Sequence, residues 1–167
     1  VLAGAINKSL VASISAAGGM SVGISGKDGN LIIAKKLTHR TKDTDSAIEN
    51  LVDLGYVGIP DKVDKQVLDA LLGVNMIPVV APLGLGADGK TYNINADTVA
   101  GSIASALNAS RLLMLTDVDG VLDDNGKLIP RLSIAQARKL ILDGVIKGGM
   151  IPKVETCLKS VRKGVDG

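Results

Sequence analysis

The sequence has no Phe and no Trp, two Tyr, one Cys and one His among 167 residues. Any core must therefore be aliphatic, built from Ile, Leu, Val, Ala and Met, and almost no ring is available to stack the bases of a single-stranded nucleic acid. Charge of one sign is lacking too. With 19 Lys plus Arg against 17 Asp plus Glu, the net charge of +2 leaves no electrostatic footprint for nucleic acid or for an anionic membrane. Cys157 alone cannot form an internal disulfide, so a reducing, cytoplasmic location is expected. No apolar run approaches the roughly 18 residues that span a bilayer. The start, Val1-Leu2-Ala3-Gly4, lacks both an initiator Met and the basic region of a signal peptide. The other end stops at Gly167, directly after a helical pattern, and both ends are expected to be cut from a longer chain.

What remains is 46% hydrophobic and 22% charged with 20 Gly, the composition of one aliphatic globular domain and not of a disordered chain or a disulfide-stapled miniprotein. Ile6, Leu10 and Ile14 fall at helical spacing and the segment ends at Gly18-Gly19, which predicts a first helix. Val22 to Ile24, Leu31 to Leu37 and Tyr56 to Val63 read as short strands, the latter two flanking a polar, charge-dense loop or hairpin excursion from Thr38 to Asn50. A helix over Lys65 to Leu72 follows. Ile77 to Leu83 and Arg111 to Val118 are nearly continuous aliphatic runs, as expected of strands covered on both faces in a parallel sheet. Between them Val99, Ile103 and Ala106 share one face of a helix over Ala96 to Leu107. Ser133-Ile134-Ala135-Gln136 is a capping-box pattern opening a helix with Ile134, Ala137 and Ile141 inward. A last helix starts near Pro152, buries Val154, Leu158 and Val161, and meets Gly164. Strands alternating with helices predict a doubly wound α/β sheet that binds ligands at the C-terminal ends of its strands.

Several motifs match in letter only. Gly84-Leu85-Gly86-Ala87-Asp88-Gly89 has the dinucleotide spacing, but Asp88-Gly89 reads as a turn and Lys90 to Ile94 as extended chain, so no helix N-terminus awaits a pyrophosphate. Around Ser25-Gly26-Lys27-Asp28 a phosphate loop fails because Ser21 replaces its first Gly and Asp28 its Ser/Thr; a tight turn is expected. Asp117, Asp119, Asp123 and Asp124 lack the Gly and Glu positions of an EF-hand, and His39 reads as solvated surface.

Two places invite a functional reading. Lys153 follows Pro152, taken as the first helical residue, where the helix dipole disfavours a cation by about 0.3 to 1 kcal/mol. A bound anion reverses that penalty, and Gly148-Gly149 leaves the preceding backbone free to approach one, so a phosphate site and an exposed Lys on a glycine-capped helix start are equally consistent. In Asn93-Ile94-Asn95-Ala96-Asp97, Asn95 suits an N-cap and Asp97 the first turn, which leaves Asn93 without a capping role. Alternation puts Asn93 and Asn95 on one side of Ile94, so two amides could face a strand-end crevice. An Asp beside a lysine-rich phosphate site would orient the ammonium groups.

Gly4 to Leu10 (GAINKSL), Ser25 to Leu31 (SGKDGNL), Leu54 to Gly58 (LGYVG), Tyr92 to Gly101 (YNINADTVAG), Leu115 to Asp123 (LTDVDGVLD) and Asp143 to Val154 (DGVIKGGMIPKV) resemble, in order and from end to end, the acetylglutamate kinases of the amino acid kinase family. The resemblance implies a three-layer α/β/α sandwich with an open, mainly parallel sheet, here incomplete. Residues 1–167 would be the central and ATP-binding part of one such domain. It implies ATP-dependent phosphorylation of the side-chain carboxylate of N-acetyl-L-glutamate in arginine biosynthesis, with Mg²⁺ held mainly by the ATP phosphates. By position, Asn93 would bind acetylglutamate, Asp97 would organise catalytic lysines and Lys153 would stabilise the transition state. Asp117, Val118, Asp119, Gly120, Val121 and Leu122 would line the nucleotide site, with Val145, Ile146, Lys147 and Gly149 near the adenosine and phosphates. No metal ligand is implied in the protein itself. The complete enzyme would be a homo-oligomer, a dimer or hexamer, and a PII-type regulator is among the partners the resemblance brings; nucleic acid and membrane are not.

The departure is one of extent. The family's first strand with its Lys and Gly-Gly turn, its His-Gly-Gly-Gly loop and its substrate-binding Arg precede the region matched, and its last strand with Asp-Gly-Arg and Gly-Thr-Met follows it. The alternatives are another amino acid kinase, disfavoured by YNINAD and GGMIPK together, and a nucleotide- or partner-binding module without catalysis.

Overall fold

The computed structural model describes the backbone of residues 1–42 and 49–167, and side chains outside residues 39–52. The chain divides into two compact units, Val1–Val99 and Ala100–Gly167.

In the first unit a π-helical turn over Leu2–Ile6 runs into α1 (Asn7–Ala16), followed by β1 (Ser21–Ser25). The first helix forms as expected, but its apolar positions are not its buried ones: Ile6 and Leu10 are exposed, and the side chain the helix buries is Asn7. Its Nδ2 donates to Ile24 O at 3.2 Å and to Val79 O at 2.8 Å, while Oδ1 rests against Gly23 without a hydrogen-bond partner. Two carbonyls on neighbouring strands demand a donor, and no aliphatic residue supplies one. After β1, the Ser25 N–H and hydroxyl both donate to Asp28 Oδ2, at 2.6 and 2.8 Å, closing the turn that the sequence implied in place of a phosphate loop.

β2 (Ile32–Lys42) and β3 (Glu49–Val63) pair antiparallel from Ile32↔Val63 to Lys42↔Glu49, which turns the expected strand pair into one long ribbon. Of the excursion expected over Thr38 to Asn50, residues 43–48 lie outside the described residues, as does the His39 side chain. α2 (Gln66–Gly73) leads to β4 (Ile77–Ala81), β5 (Leu83–Gly86) and β6 (Thr91–Ile94). β1 and β4 form a parallel pair in the register Ser21↔Ile77 to Ser25↔Ala81. The other four strands close on themselves in the order β2-β3-β6-β5. β5 and β6 form a hairpin across the Gly84 to Gly89 motif, so the dinucleotide spacing opens no helix. Among the described residues, Leu31, Ile32, Ala34, Leu68, Ala81, Tyr92, Ile94 and Val99 are the buried apolar residues of this unit.

α3 (Ala96–Ala106) passes from the first unit into the second, which also holds α4 (Ile134–Leu142) and α5 (Met150–Arg162). Where α3 meets α5 the spacing is tight: a Cβ built on Gly101 would lie 2.6 Å from Thr156 Cγ2 and 2.9 Å from Ser160 Oγ. The capping box of α4 forms as its four residues predict, with Gln136 N–H donating to Ser133 Oγ at 3.2 Å and Ser133 N–H to Gln136 Oε1 at 2.8 Å. Ala137, Ile146 and Val154 centre the core of this unit, and Val121, Leu132, Leu140, Ile141, Met150, Ile151 and Leu158 pack against them.

The strand expected over Arg111 to Val118 does not form. Leu113 is 74% and Leu115 92% exposed, and among the described residues the run's backbone tie to a distant segment is Leu112 N–H to Gly167 O at 2.8 Å. Aliphatic content favours burial in a sheet, but a strand exists only where a ladder partner takes its N–H and C=O groups. The α/β class holds, with parallel pairing along β1-β4 and, over two positions each, between β2 and β5 and between β3 and β6. Among the described residues no helix is long and apolar enough to cross a membrane.

Candidate functional site

The two segments expected around a nucleotide come together in the second unit. A cavity of about 520 Å³ is lined by Val118, Gly120, Val121 and Leu122 on one side and by Val145, Ile146 and Lys147 on the other. Gly144, Met150, Asp123, Asp124 and Gly126 complete its wall. The volume falls in the range of about 300 to 1,000 Å³ that holds drug-sized ligands. Asp117, Asp119 and Gly149 do not line the cavity.

Local chemistry explains how each wall is held. Leu122 bridges Leu128 across a tight turn in which Gly126 N–H donates to Asp123 O at 2.9 Å. Asp123 Oδ1 accepts from the amides of Asn125 and Lys127, at 2.9 and 2.8 Å, which makes this carboxylate a turn-former. Gly126 has φ +74°, a left-handed conformation at no steric cost to glycine. The opposite wall begins where α4 ends. Gly144, at φ +75°, terminates the helix, and Val145 and Ile146 N–H both donate to Leu140 O at 3.0 Å. That cap turns Ile146 into the core and leaves Lys147 exposed on the cavity rim.

The wall is thus mostly aliphatic, with one cation and two carboxylates. Its apolar residues offer contact to an apolar ligand portion, and Lys147 is its one cation. Among the described residues no group of three or more His, Cys, Asp or Glu could hold a metal ion.

The glycines before α5 behave differently from expectation. The helix starts at Met150, two residues earlier than expected, so Pro152 is its third residue and Lys153 its fourth instead of its second. Met150 and Ile151 N–H donate to Lys147 O and Gly148 O, at 3.3 and 3.2 Å, so these two amides are already used within the turn. A Cβ on Gly148 or Gly149 would meet open space, so the approach to this corner is clear. Lys153 is half-buried on α5.

In the first unit, Asn93 is exposed on β6 between buried Tyr92 and Ile94, as alternation required. Its backbone is fixed on both sides, opposite Leu83 of β5 and opposite Val57 of β3. Asn95 caps α3, its Oδ1 accepting from Thr98 N–H at 3.1 Å, and half-buried Asp97 sits in the first turn of that helix. Asn93 therefore presents its amide with no capping role, as the sequence suggested.

Sequence reasoning missed Asp123, Asp124, Gly126, Gly144 and Met150 as cavity residues. Asn125-Gly126 is a strong hairpin signal that could have folded Leu122 to Leu128 in advance. The Gly after a capping-box helix could likewise have placed Gly144.

The amino acid kinase family model matches residues 1–166. An acetylglutamate kinase of Gluconobacter oxydans (strain 621H) is 63% identical over 164 residues, which is 98% of this chain and 56% of that protein. One from Acidiphilium cryptum (strain JF-5) is 64% identical over 167 residues, all of this chain and 56% of that protein. The chain thus spans about half the length of the curated relatives it matches. Among solved structures, smu.665 from Streptococcus mutans UA159 superposes with a TM-score of 0.81 at 32% identity, covering 98% of this chain and 62% of that one. An N-acetylglutamate synthase from Neisseria gonorrhoeae, solved with coenzyme A and N-acetyl-glutamate, gives 0.74 at 25% identity, covering 96% of this chain and 34% of that one. A family model that runs from the first residue to the next-to-last, on an α/β chain with this cavity, makes the chain a member of the amino acid kinase family.

Proposed function

We propose that residues 1–167 are the central and ATP-binding portion of one amino acid kinase domain, and that the whole protein is an acetylglutamate kinase. Its reaction would be the transfer of the ATP γ-phosphoryl group to the side-chain carboxylate of N-acetyl-L-glutamate. The observation that carries this reading is the convergence of Val118 to Leu122 and Val145 to Lys147 on one cavity, in a chain about 60% identical to acetylglutamate kinases along its whole length.

The chemistry asks little covalent work of the protein. A carboxylate is already a nucleophile, so no general base or covalent intermediate is needed, and catalysis reduces to positioning and charge neutralisation. Asn93 holds the acetylglutamate by its exposed amide. Val118, Gly120, Val121, Leu122, Val145 and Ile146 grip the nucleoside, and Lys147 takes the phosphate side; Asp117, Asp119 and Gly149 border this site. Lys153 neutralises the charge that develops on the transferred group, and Asp97 orients the lysine ammonium groups. Mg²⁺ supplies further charge neutralisation from the phosphate oxygens when bound. A cytoplasmic homo-oligomer, open to a PII-type regulator, belongs to the same reading.

The test is turnover of a chain completed to its relatives' length, with ATP, Mg²⁺ and N-acetyl-L-glutamate, trapping the acyl phosphate with hydroxylamine. Hydroxamate that requires both substrates supports the reading. Hydroxamate formed from unacetylated glutamate instead, with none from N-acetyl-L-glutamate, assigns the chain to another amino acid kinase and overturns it.

A further inference from the structure

We infer that Tyr92 and Asp88 are positioning residues that set the register of Asn93 and thereby the affinity for the acceptor substrate; this rests on the assignment of Asn93 to acetylglutamate proposed above. Tyr92 is buried on β6 of the closed strand set, and its side chain occupies space that two glycines leave open. A Cβ on Gly86 of β5 would lie 2.5 Å from Tyr92 Cε2, and one on Gly58 of β3 would lie 2.8 Å from Tyr92 Cβ. The ring is therefore seated between both neighbours of β6, with Tyr56 tilted beside it at a centroid distance of 6.3 Å.

The hydroxyl fixes the remaining freedom, which is sliding along the strand. It donates to Asp88 Oδ2 at 2.9 Å, and Asp88 sits in the turn joining β5 to β6. That turn is closed by Gly86 N–H to Lys90 O at 2.8 Å and Gly89 N–H to Gly86 O at 2.9 Å, with Asp88 Oδ1 accepting from Lys90 N–H at 3.1 Å. The Lys90 amide and then the Tyr92 hydroxyl hold the Asp88 carboxyl below the usual carboxylate range, so it is an acceptor at neutral pH. Because strand side chains alternate, a one-residue slip would exchange the faces of Tyr92 and Asn93. Ring, glycines, hydroxyl and turn carboxylate together exclude that slip, and Asn93 is the next residue.

In the chain completed to its relatives' length, Tyr92→Phe keeps the ring on its glycines and deletes only the hydroxyl. The KM for N-acetyl-L-glutamate should rise about twofold to tenfold, the range of one hydrogen bond, with the KM for ATP unchanged. Asp88→Asn should raise the same constant, and Tyr92→Phe should add nothing once Asn93 is Ala. If both variants melt lower while both KM values stay at the parent level, the pair is structural only and the inference fails. The outcome is distinguishable from failure of the underlying assignment: if Asn93→Ala itself leaves the KM for N-acetyl-L-glutamate unchanged, Asn93 does not bind that substrate. Should Asn93→Ala raise it while Tyr92→Phe and Asp88→Asn do not, the positioning role alone is refuted.

Discussion

Replacing Gly101 by Ala sets two forces of opposite sign against each other inside α3. In an exposed helix interior the change would stabilise by about 1 kcal/mol, because Ala has the higher helix propensity. Here the new methyl would lie 2.6 Å from Thr156 Cγ2 and 2.9 Å from Ser160 Oγ, both on α5. Neither neighbour can swing away freely. Ser160 is buried, and its hydroxyl lies 3.0 Å from Thr156 O and 3.3 Å from Gly101 O, while the Thr156 hydroxyl donates to Pro152 O at 2.9 Å. Overpacking of this kind costs about 1 to 3 kcal/mol, and disturbing the Ser160 hydroxyl adds about 1 kcal/mol. The sterics win, and Gly101→Ala should lower stability by about 1 to 3 kcal/mol net, read from urea unfolding followed by far-UV circular dichroism. Thr156→Ser removes the obstructing methyl but keeps the hydroxyl, so in the Gly101→Ala background it should recover much of the loss, with a coupling of about 0.5 kcal/mol or more. A Gly101→Ala chain that is more stable than the parent would mean that the helices part easily, and the close packing of α3 on α5 would lose its energetic meaning.

Three further expectations address the site and the turns. In a completed chain, Asn93→Ala should raise the KM for N-acetyl-L-glutamate and leave that for ATP in place, since an unpaired substrate group costs about 1 to 3 kcal/mol; a rise for ATP alone would put Asn93 on the nucleotide side. Lys153→Met should cut turnover by about a hundredfold or more with the fold retained, and parental turnover in a folded variant would remove Lys153 from catalysis. The Asp28 carboxyl is held below its ordinary 3.8 chiefly by the Ser25 amide and then by its hydroxyl. A depressed carboxyl stabilises the fold above the unfolded pKa and loses that contribution as pH falls through the folded one. The melting-temperature gap between the parent and Asp28→Asn should accordingly be level from pH 7 to about 5 and close below about pH 4; a gap that stays constant into the acid arm would show that the charge of Asp28 is irrelevant.

Features written in adjacent residues were legible, and features that depend on a distant partner were not. Ser133 to Gln136 folds into the capping box those residues describe, and Asp88-Gly89 makes the turn that rules out a dinucleotide fingerprint. Asn93 and Asn95 take the exposed positions that alternation assigns, and Asn95 caps α3. By contrast, the aliphatic run from Arg111 to Val118 carries a burial preference but no information about which strand would receive it. The buried side of α1 was not legible for a similar reason: Asn7 is inward because of carbonyls 17 and 72 residues away along the chain. Periodicity records the polarity of a face and is blind to such a demand. At the cavity, residues 118, 120–122 and 145–147 were reached through family resemblance; Asp124 and Met150 join them only because a turn and a helix start bring them round.

The Asn7 amide also sets how this part of the molecule comes apart. Its two donors end on Ile24 of β1 and Val79 of β4, so neither strand can leave α1 without stranding buried polar groups. Gly23 shares the arrangement, since any larger residue there would evict the Asn7 side chain. Helix and both strands should open as one cooperative segment, with a common free energy of local unfolding in amide hydrogen exchange. A side chain of two donors thereby couples elements more than 70 residues apart in the chain into a single unit of exchange.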